Sequence, residues 1–459
     1  MSRTVVILAI VAIALGVGAA PASAAPRMWF GFLDDQTFRW GGPERVASWN
    51  QAKHDHTSVV RTVVRWDQIA RWRPANRLNP FDPAYNFKDL DDFVIHAQQR
   101  GIEVLLTLWG TPSWANNGAG PRVPPTDISD FAAFAHVVAA RYSGTYPGLP
   151  YARFFSIWNE PNSPTFLSAP DPAAAYASLA EAGYSAIKFA SPTATVALGE
   201  TAAAHDPGTF VDQLAAVDPT LRFDAWAHHP YPATPNGSPD QPRAWPNAGM
   251  LELGRLDQEV ETAFHRQDVP LWVTEYAEPG TFVSPQRQAS DLGRAVAIAA
   301  AEPSVQMFIW MMLRNHPGTP WQSGIEGKPA LHVFQQDARL FDPRNPLVSF
   351  TGERRSFLLH VPALELRWHL STGARVGVQY LVTLHGHRVT SGALASRIGS
   401  DGWVPVPLHF AAQPTRDYTL TLKLEDVHGF RVTRTVQLLG ANSAATRLDA
   451  GSEPLRRTR

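Results

Sequence analysis

The segment Phe155-Ser-Ile-Trp-Asn-Glu-Pro161 contains a short apolar run that ends in Asn159 and Glu160. The segment Leu271-Trp-Val-Thr-Glu-Tyr276 has the same plan, with Glu275 following a run of apolar and β-branched residues. Each run predicts a buried strand, so each glutamate lies at the C-terminal end of its strand. A carboxylate at such a position is costly unless it is paired or does chemistry. In a parallel barrel these ends share one rim, and we expect the two carboxylates to face each other there.

Strand-like apolar runs alternate with amphipathic helical stretches from about residue 28 to residue 340. Eight runs of this kind, separated by helices, are typical of a (β/α)₈ barrel. We therefore predict an α/β fold with a (β/α)₈ TIM barrel over residues 26–343. The predicted strands are Trp29–Leu33, Ser58–Trp66, Glu103–Trp109, Phe154–Asn159, Thr195–Gly199, Ala225–His229, Leu271–Glu275 and Gln306–Met311.

Helix signals stand between several of these strands. Asp127–Tyr142 places its apolar residues on one face at helical spacing. Asp171-Pro172 and Ser284-Pro285 each combine an N-cap residue with a proline in the first turn, and each predicts the start of a helix. Asp89–Gln99 is a further amphipathic helix, which Gly101 is expected to end.

The sequence pattern changes near Pro343–Pro346. Beyond it helical spacing gives way to alternating apolar and polar residues, with turn signals at Ser400-Asp-Gly402 and His428-Gly429. We predict a small all-β sandwich as an accessory domain over residues 346–440 and a disordered tail over residues 441–459. The predicted strands are Leu364–Leu370, Val376–Leu384, Trp403–Phe410, Tyr418–Leu424 and Phe430–Leu438.

Trp368 bears on the role of this second domain. Carbohydrate-binding modules display flat aromatic side chains outward, but Trp368 alternates in phase with three leucines. This pattern predicts a core tryptophan. It favours a stabilising or spacer domain over a carbohydrate-binding one.

The N-terminal residues 1–24 have the features of a secretory signal peptide. Arg3 is the positive charge, Val5–Val17 is the apolar stretch, and Ala22-Ser-Ala24 fits the cleavage pattern. The alternative is a membrane anchor, but the apolar stretch is shorter than the roughly 20 residues that cross a bilayer. We predict a secreted, extracellular protein with no stable membrane insertion after signal cleavage.

Composition narrows the possible partners and chemistry. The chain has 459 residues, 44% of them hydrophobic, which is enough for a large core and more than one domain. Its 40 basic and 41 acidic residues nearly balance, so nothing favours nucleic acid or an anionic membrane as a partner. Cysteine is absent, which excludes disulfides and thiolate sites.

The sequence resembles glycoside hydrolase clan A, and within it members of families 39 and 5. The resemblance is carried by Phe155–Pro161 at the fourth strand and by the glutamate that ends the seventh. Val63–Ile69, Gly101–Trp114 and Lys328–Phe334 support it. It implies a retaining β-glycosidase that hydrolyses O-glycosidic bonds of a polysaccharide or oligosaccharide by double displacement, through a covalent glycosyl-enzyme. It implies no metal and no organic cofactor.

The resemblance also implies roles for residues at the strand ends. Glu160 is expected to be the general acid/base and Glu275 the nucleophile. Asn159 is expected to bind the sugar 2-hydroxyl, although it could instead fix a local turn. Arg61 is expected to contact the nucleophile and keep it charged. Arg65 lies on the same strand face and is the alternative for that contact.

The sixth and eighth strands supply further candidates. Tyr231 is expected to donate to Glu275, and His229 to contact the substrate or position Glu160. A zinc site at His228-His229 is discounted because adjacent strand residues point to opposite faces. Trp310 corresponds to the clan's sugar platform. Trp109 is a second substrate-binding or supporting residue, and further aromatic candidates are Trp66, Trp114 and Trp321.

Several questions stay open at this stage. Many clan members carry a histidine near the end of the third strand, where this chain has Trp109-Gly110, so the sugar is unassigned. Linkage, endo or exo action and oligomeric state are also open. Two other functions remain: a non-catalytic extracellular glycan-binding protein on the same barrel, and a cell-envelope protein in which the β-sandwich makes the main interaction.

Overall fold

The structure is a computed structural model that describes residues 28–319, 321–343, 356–362, 373–399, 403–413, 416–427, 429 and 431–438. Within residues 28–319, eight parallel strands close into a barrel in chain order, with the last strand pairing with the first. The predicted (β/α)₈ barrel is therefore confirmed. Its strands are β1 (Trp29–Leu33), β2 (Val59–Arg65), β3 (Glu103–Trp109), β4 (Phe154–Ile157), β5 (Thr195–Ala202), β6 (Ala225–His229), β7 (Leu271–Tyr276) and β8 (Val305–Trp310).

Helices surround the barrel and turn their apolar faces to it. The cap signals act as expected: the side chains of Asp127, Asp171 and Ser284 each accept a hydrogen bond from a backbone N–H in the first turn. The α-helices are Asp35–Phe38, Arg45–His54, Trp66–Ile69, Lys88–Gln98, Ile128–Arg141, Pro172–Ala190, Pro207–Val217, Leu253–Ala263, Pro285–Ala301 and Pro329–Phe341, and the short 3₁₀ helices are Gly42–Glu44 and Met250–Glu252. In the part of the chain that the structure describes, no helix is both long and apolar enough to cross a bilayer.

Near the N-terminal ends of the strands the barrel interior is filled by an apolar group, here called the lower cluster. Phe154 is at its centre, with ring centroids 5.1 Å from Trp29 and 5.3 Å from Trp272 in edge-on packing. This packing closes one end of the barrel and leaves the opposite end to polar residues. The lower cluster consists of Trp29, Val59, Leu105, Phe154, Ala197, Ala225, Ala227, Trp272, Met307 and Ile309.

The C-terminal part of the described chain forms two antiparallel sheets with a common apolar core, which confirms the predicted all-β sandwich. One sheet has the order β11-β10-β13-β14 and the other pairs β12 with β9. The strands are β9 (Ser356–Pro362), β10 (Arg375–Leu384), β11 (His387–Arg397), β12 (Trp403–His409), β13 (Tyr418–Asp426) and β14 (Arg431–Leu438).

Two of these strands, β9 and β11, were not among the sequence predictions. Strand β11 has the weak burial alternation of a strand on the edge of a sheet, which explains why its pattern is faint. The predicted strand Leu364–Leu370, with Trp368, lies outside the described residues. So do the predicted signal peptide and the predicted disordered tail.

Candidate active site

Glu275 lies in β7, where both of its carboxylate oxygens accept a hydrogen bond. Arg61 donates from Nη1 to Oε2 at 2.8 Å, and Tyr231 donates from its hydroxyl to Oε1 at 2.8 Å. The guanidinium is fully buried, whereas 17% of the Glu275 side chain is exposed. A cation and a phenol thus both donate to this carboxylate, and one of its edges stays open to solvent.

Arg61 also organises the neighbouring strand ends. Its Nη2 donates to Asn159 Oδ1 at 2.7 Å and lies 3.1 Å from Glu200 Oε2, while Nε donates to Thr107 Oγ1 at 3.0 Å. Because arginine has only donors, this contact fixes the amide of Asn159 with its oxygen toward Arg61. Its NH₂ group is thereby left for other partners.

Arg65, the alternative partner of Glu275, makes different contacts. It forms two hydrogen bonds to Asp67, at 2.8 and 2.6 Å, and its guanidinium lies 4.7 Å from the Trp109 ring centroid. Of the two arginines on this strand face, Arg61 is the one that reaches Glu275 in the structure.

Glu160 follows β4 on a backbone with unusual dihedral angles. Trp158 has φ 67° and Glu160 has φ 43°, a left-handed conformation that is uncommon for these residues and is typical of functional positions. The backbone N–H of Glu160 donates to the carbonyl of Glu200 at 3.0 Å. His229 Nδ1 lies 2.9 Å from Glu160 Oε1, and 16% of the Glu160 side chain is exposed.

The ring of His229 stands between the two exposed carboxylates. Its Nδ1 is 2.9 Å from Glu160 Oε1 and 4.0 Å from Glu275 Oε2. The two oxygens are therefore separated by at most the sum of these distances, about 7 Å. Glu160 and Glu275 thus lie close enough together for both carboxylates to reach one sugar ring.

A third carboxylate, Glu200, was missed from the sequence. It has no exposed surface, and its Oε2 accepts hydrogen bonds from His229 Nε2 at 2.7 Å and Thr274 Oγ1 at 2.7 Å. The predicted fifth strand ended at Gly199, three residues before the observed end at Ala202 and one residue before Glu200. A glutamate directly after an apolar strand was the available signal, and it is the same signal that identified Glu160 and Glu275.

A β-bulge in β5 brings Glu200 to this position. The pairing register with β6 shifts between Gly199 and Thr201, so Glu200 is the extra residue. Gly199 has φ 91°, and a Cβ there would lie 2.6 Å from the carbonyl oxygen of Ala227, so only glycine fits. The Tyr176 hydroxyl accepts from Gly199 N–H and donates to the carbonyl of Ile157, which joins β5 to β4.

The family of the chain is decided by a match to a family model. Residues 22–315 match the model described as Cellulase (glycosyl hydrolase family 5), which covers more than half of the chain. The chain belongs to glycosyl hydrolase family 5. It is thus a clan A glycoside hydrolase, as the sequence resemblance implied, and carbohydrate is its substrate class. No curated protein sequence matches it.

Solved structures share the fold of this family 5 enzyme. A glucosidase from Croceicoccus marinus has a TM-score of 0.54 at 14% identity, over 86% of this chain and 95% of that one. A family 39 glycoside hydrolase from the gut symbiont Bacteroides cellulosilyticus WH2 has a TM-score of 0.52 at 17% identity, over 84% of this chain and 81% of that one. GH5_18 from Streptomyces cattleya, in complex with GlcNAc, has a TM-score of 0.50 at 16% identity, over 72% of this chain and 86% of that one.

The pKa values of two buried groups in the site of this glycoside hydrolase are shifted in opposite directions. Burial alone raises the pKa of Glu200, but the charge of Arg61 and the bond from His229 outweigh it, and the pKa falls to about 2. Burial lowers the pKa of His229, yet Glu275, Glu160 and Glu200 together raise it to about 9. Glu200 is therefore ionised, and His229 carries charge near neutral pH.

Tyr231 and His228 remain neutral near neutral pH. Burial, and then the charge of Glu275, raise the pKa of Tyr231 well above its usual range, so it stays a hydrogen-bond donor. Burial lowers the pKa of His228 to about 3. The ring of His228 lies between Thr201 and the carbonyl of Ala248, on the side opposite His229. Among the described residues, no group of His, Asp and Glu side chains is arranged to hold a metal ion.

The prediction that Trp310 is the sugar platform is wrong for this structure. Trp310 has no exposed surface, and its Nε1 donates to the carbonyl of Ser323, so its ring packs in the core. Trp109 is 8% exposed and lies beneath Arg65, which fits a supporting position. Trp321 is 38% exposed, with its ring centroid 5.6 Å from that of Tyr231. Trp321 therefore offers a partly exposed aromatic ring beside Tyr231, which donates a hydrogen bond to Glu275.

Proposed function

We propose that this enzyme is an exported, retaining β-glycosidase that cleaves an oligosaccharide or polysaccharide by double displacement. Glu275 attacks the anomeric carbon and forms a glycosyl ester, while Glu160 gives its proton to the leaving oxygen. Glu160 then takes a proton from water, whose oxygen bonds to the anomeric carbon as the ester to Glu275 breaks.

The observation that carries this proposal is the opposition of Glu160 and Glu275 at the barrel rim. Retaining enzymes hold their carboxyls about 5–5.5 Å apart, and inverting enzymes hold them about 6.5–9.5 Å apart to admit a water molecule. The upper limit of about 7 Å on the distance from Glu160 Oε1 to Glu275 Oε2 admits the retaining separation and lies near the short end of the inverting range. It favours direct attack by one carboxylate.

The contacts of the two carboxylates support this division of roles. Glu275 has a cation and a phenol as donors, an environment that suits a nucleophile that must stay ionised. Glu160 contacts a titratable ring, which suits a group that gains and loses a proton in each cycle. Trp321 and Asn159 are proposed to bind the sugar, through its apolar face and its 2-hydroxyl respectively.

The first experiment traps the covalent intermediate. The matching family model is named for cellulase and one structural neighbour is a glucosidase, so β-glucosides are the first compounds to test. Incubation with 2,4-dinitrophenyl 2-deoxy-2-fluoro-β-glucoside, followed by peptide mass spectrometry, is expected to find the sugar on Glu275. A label on any other side chain would contradict the assignment, and Glu275→Gln is the control that must stay unlabelled.

The second experiment follows the stereochemistry of the product. Proton NMR during hydrolysis of a 4-nitrophenyl β-glycoside is expected to show the β-anomer first, with the α-anomer appearing later by mutarotation. If the α-anomer appears first, the reaction is a single displacement and Glu275 is not the nucleophile. A panel of 4-nitrophenyl β-glycosides and β-glucans identifies the sugar. A glycan-binding protein without activity would bind members of the panel but hydrolyse none.

Export is tested separately. Expression of the full chain in a bacterial host with a secretion pathway is expected to deliver the enzyme outside the cytoplasm. N-terminal sequencing of the exported protein should begin at Ala25, directly after Ala22-Ser-Ala24. An intact N-terminus on cytoplasmic protein would refute export without affecting the catalytic assignment.

A further inference from the structure

Glu200 is a buried carboxylate at the barrel rim that double displacement does not use. It lies beneath both proposed catalytic carboxylates and is held by a cation, an imidazole and a hydroxyl. Burying a charge costs several kcal/mol unless partners compensate, and a β-bulge with an obligatory glycine is built around this residue. Such a costly arrangement calls for an account of what the carboxylate does.

The contacts of Glu200 determine how His229 carries its hydrogens. An ionised carboxylate only accepts hydrogen bonds, so the Nε2 atom that faces Glu200 at 2.7 Å must bear a hydrogen. The other ring nitrogen, Nδ1, faces Glu160 Oε1 at 2.9 Å. Nδ1 therefore donates to Glu160 when that residue is ionised, and it accepts from Glu160 when that oxygen carries the proton and the ring is neutral.

We propose that Glu200 is a positioning residue for the acid/base glutamate. It fixes His229 with a hydrogen on Nε2 and thereby commits Nδ1 to Glu160, so that the His229–Glu160 pair retains a shared proton through the cycle. This is the relation of the aspartate to the histidine in a serine protease triad, here with a carboxyl group as the recipient. The inference rests on the proposed role of Glu160 as acid/base.

The charges in the site show why a third carboxylate matters. Three carboxylates (Glu160, Glu200 and Glu275) face two cations, Arg61 and protonated His229. With all five charged the site has one net negative charge, which a single added proton neutralises. Without Glu200, the two cations would balance the charges of Glu160 and Glu275. Protonation of Glu160 would then be less favourable, because one nearby negative charge is gone.

Glu160 exchanges one proton with the substrate or water in each half of the reaction. In glycosylation His229 is protonated on both ring nitrogens, and Glu160 carries its own proton on the oxygen that does not face Nδ1. That O–H bond of Glu160 breaks, an O–H bond forms on the leaving group, and the hydrogen on His229 Nδ1 stabilises the new carboxylate. In deglycosylation Glu160 takes the proton of water and returns to its starting form. Glu200 touches no reacting atom and acts through His229. The charged and titratable groups around this ring are Arg61, Glu160, Glu200 and Glu275, with His228 and Tyr231 on its own segment.

The test compares Glu200→Gln with wild type on two β-glycosides of the same sugar, one with a 2,4-dinitrophenol leaving group and one with phenol. Dinitrophenolate leaves without acid help, whereas phenol requires the proton of Glu160. We expect kcat/KM to fall by about 10²-fold for the phenyl substrate but by less than about threefold for the dinitrophenyl substrate, in the glycosylation step. The basic limb of the phenyl pH profile should also move to lower pH.

Two further variants make the test specific. Glu200→Asp keeps the charge and is expected to restore the basic limb at least in part. Glu278→Gln removes a buried carboxylate three residues after Glu275, whose Oε1 accepts from the Tyr276 hydroxyl. This variant should leave both the leaving-group ratio and the pH profile unchanged. Equal losses on both substrates with an unmoved basic limb would overturn the proposal and leave Glu200 a purely structural role.

A measurement without turnover separates this inference from the proposed function. Thermal unfolding of wild type and Glu200→Gln is followed from pH 6 to pH 10. We expect the alkaline loss of stability to be smaller in the variant and to level off at lower pH, because His229 has lost a charged partner and its pKa in the folded protein is raised less. Identical pH dependence refutes the inference even if the enzyme is active. Inactivity of wild type on every glycoside, with a clear difference between the unfolding curves, refutes the proposed function but not the Glu200–His229 link. If Glu200→Gln does not fold, Glu200→Asp is compared with wild type instead. It keeps the charge but withdraws the carboxylate from His229 Nε2, so the same changes are expected at smaller size, and their complete absence would refute the inference.

Discussion

Along five barrel strands, a side chain of the lower cluster is followed two residues later by a polar side chain on the same face. These polar residues and Glu200 form the upper cluster, and they are joined to one another by hydrogen bonds. The lower cluster lies on the same strand faces, two residues nearer the N-terminal ends, and its side chains are apolar. The pairs are Val59 and Arg61, Leu105 and Thr107, Phe154 and Ser156, Ala227 and His229, and Trp272 and Thr274.

Two residues further along each of these strands, the barrel interior thus changes from apolar packing to a network of hydrogen-bonded polar side chains. Both clusters are buried, so burial does not distinguish them. The lower cluster gains stability from area removed from water, whereas the upper cluster is stable only because its donors and acceptors satisfy one another. We therefore expect substitutions in the lower cluster to affect stability, and substitutions at the upper end to affect activity and pH dependence.

The largest expected effect is on activity. Glu275→Gln should reduce kcat/KM by roughly 10⁴-fold or more, because removal of a nucleophile eliminates the covalent route. Stability should change little, since the amide can still accept from Tyr231. Steady-state kinetics on an aryl β-glycoside and a melting curve measure the two effects, with Glu278→Gln as the matched control. Activity within tenfold of wild type would contradict the proposed role.

Phe154→Ala, in the lower cluster, should have the opposite effect. Loss of a ring packed against Trp29 and Trp272 is expected to reduce the free energy of unfolding by about 3–5 kcal/mol. The kcat/KM of the folded fraction should stay near the wild-type value, because Ser156 is held by Thr107 rather than by Phe154. Urea denaturation and kinetics at low temperature test both parts. A large fall in activity without a fall in stability would break the division between the clusters.

The pH dependence of stability tests the charge of the upper cluster. The pKa of His229 is raised from 6.5 to about 9, so its contribution is complete below pH 6.5 and is lost as pH rises through about 9. The pKa of Glu200 is lowered from 4.5 to about 2, so its contribution is complete above pH 4.5 and is lost as pH falls through about 2. Together they predict greatest stability between about pH 4.5 and 6.5, with a loss on the order of 3 kcal/mol on the alkaline side from His229.

The contribution of Glu278 to the alkaline loss of stability must be measured separately from that of His229. Burial, followed by the nearby charge of Asp291, raises the pKa of Glu278 from 4.5 to about 9, so it too loses stabilising energy as pH rises. The experiment compares the unfolding free energy of wild type, His229→Asn and Glu278→Gln at pH 6 and pH 9. We expect each variant to lose only its own part of the difference. An unchanged difference in His229→Asn would show that the ring is not charged in the folded protein.

The two clusters were not equally predictable from the sequence. The strands of the barrel could be placed because long apolar runs mark buried parallel strands, and Glu160 and Glu275 could be found because each follows such a run. Glu200 was missed because a bulge adds a residue that alternation cannot reveal. Its role depends on three strands meeting, which local patterns do not encode.

The tryptophans illustrate the same limit. Trp310 and Trp321 are both tryptophans near the end of the barrel, and the sequence gives no measure of which ring is covered. The fold decides: the loop carbonyl of Ser323 takes the indole N–H of Trp310 and buries the ring, whereas Trp321 keeps an open face. Whether an aromatic residue lines a cleft or a core is a property of tertiary packing.

The smallest expected effect belongs to Trp321, which lies outside both clusters. Trp321→Ala should raise KM by roughly tenfold, about 1.4 kcal/mol of binding energy, with little change in kcat or stability because the ring is 38% exposed. Phe189→Ala is the control, since Phe189 is 82% exposed near the end of the helix Pro172–Ala190 and should leave kinetics unchanged. A fall in kcat with unchanged KM would mean that Trp321 supports Tyr231, and through it Glu275. The upper cluster would then extend to the rim, because Tyr231 would transmit packing at Trp321 to the nucleophile.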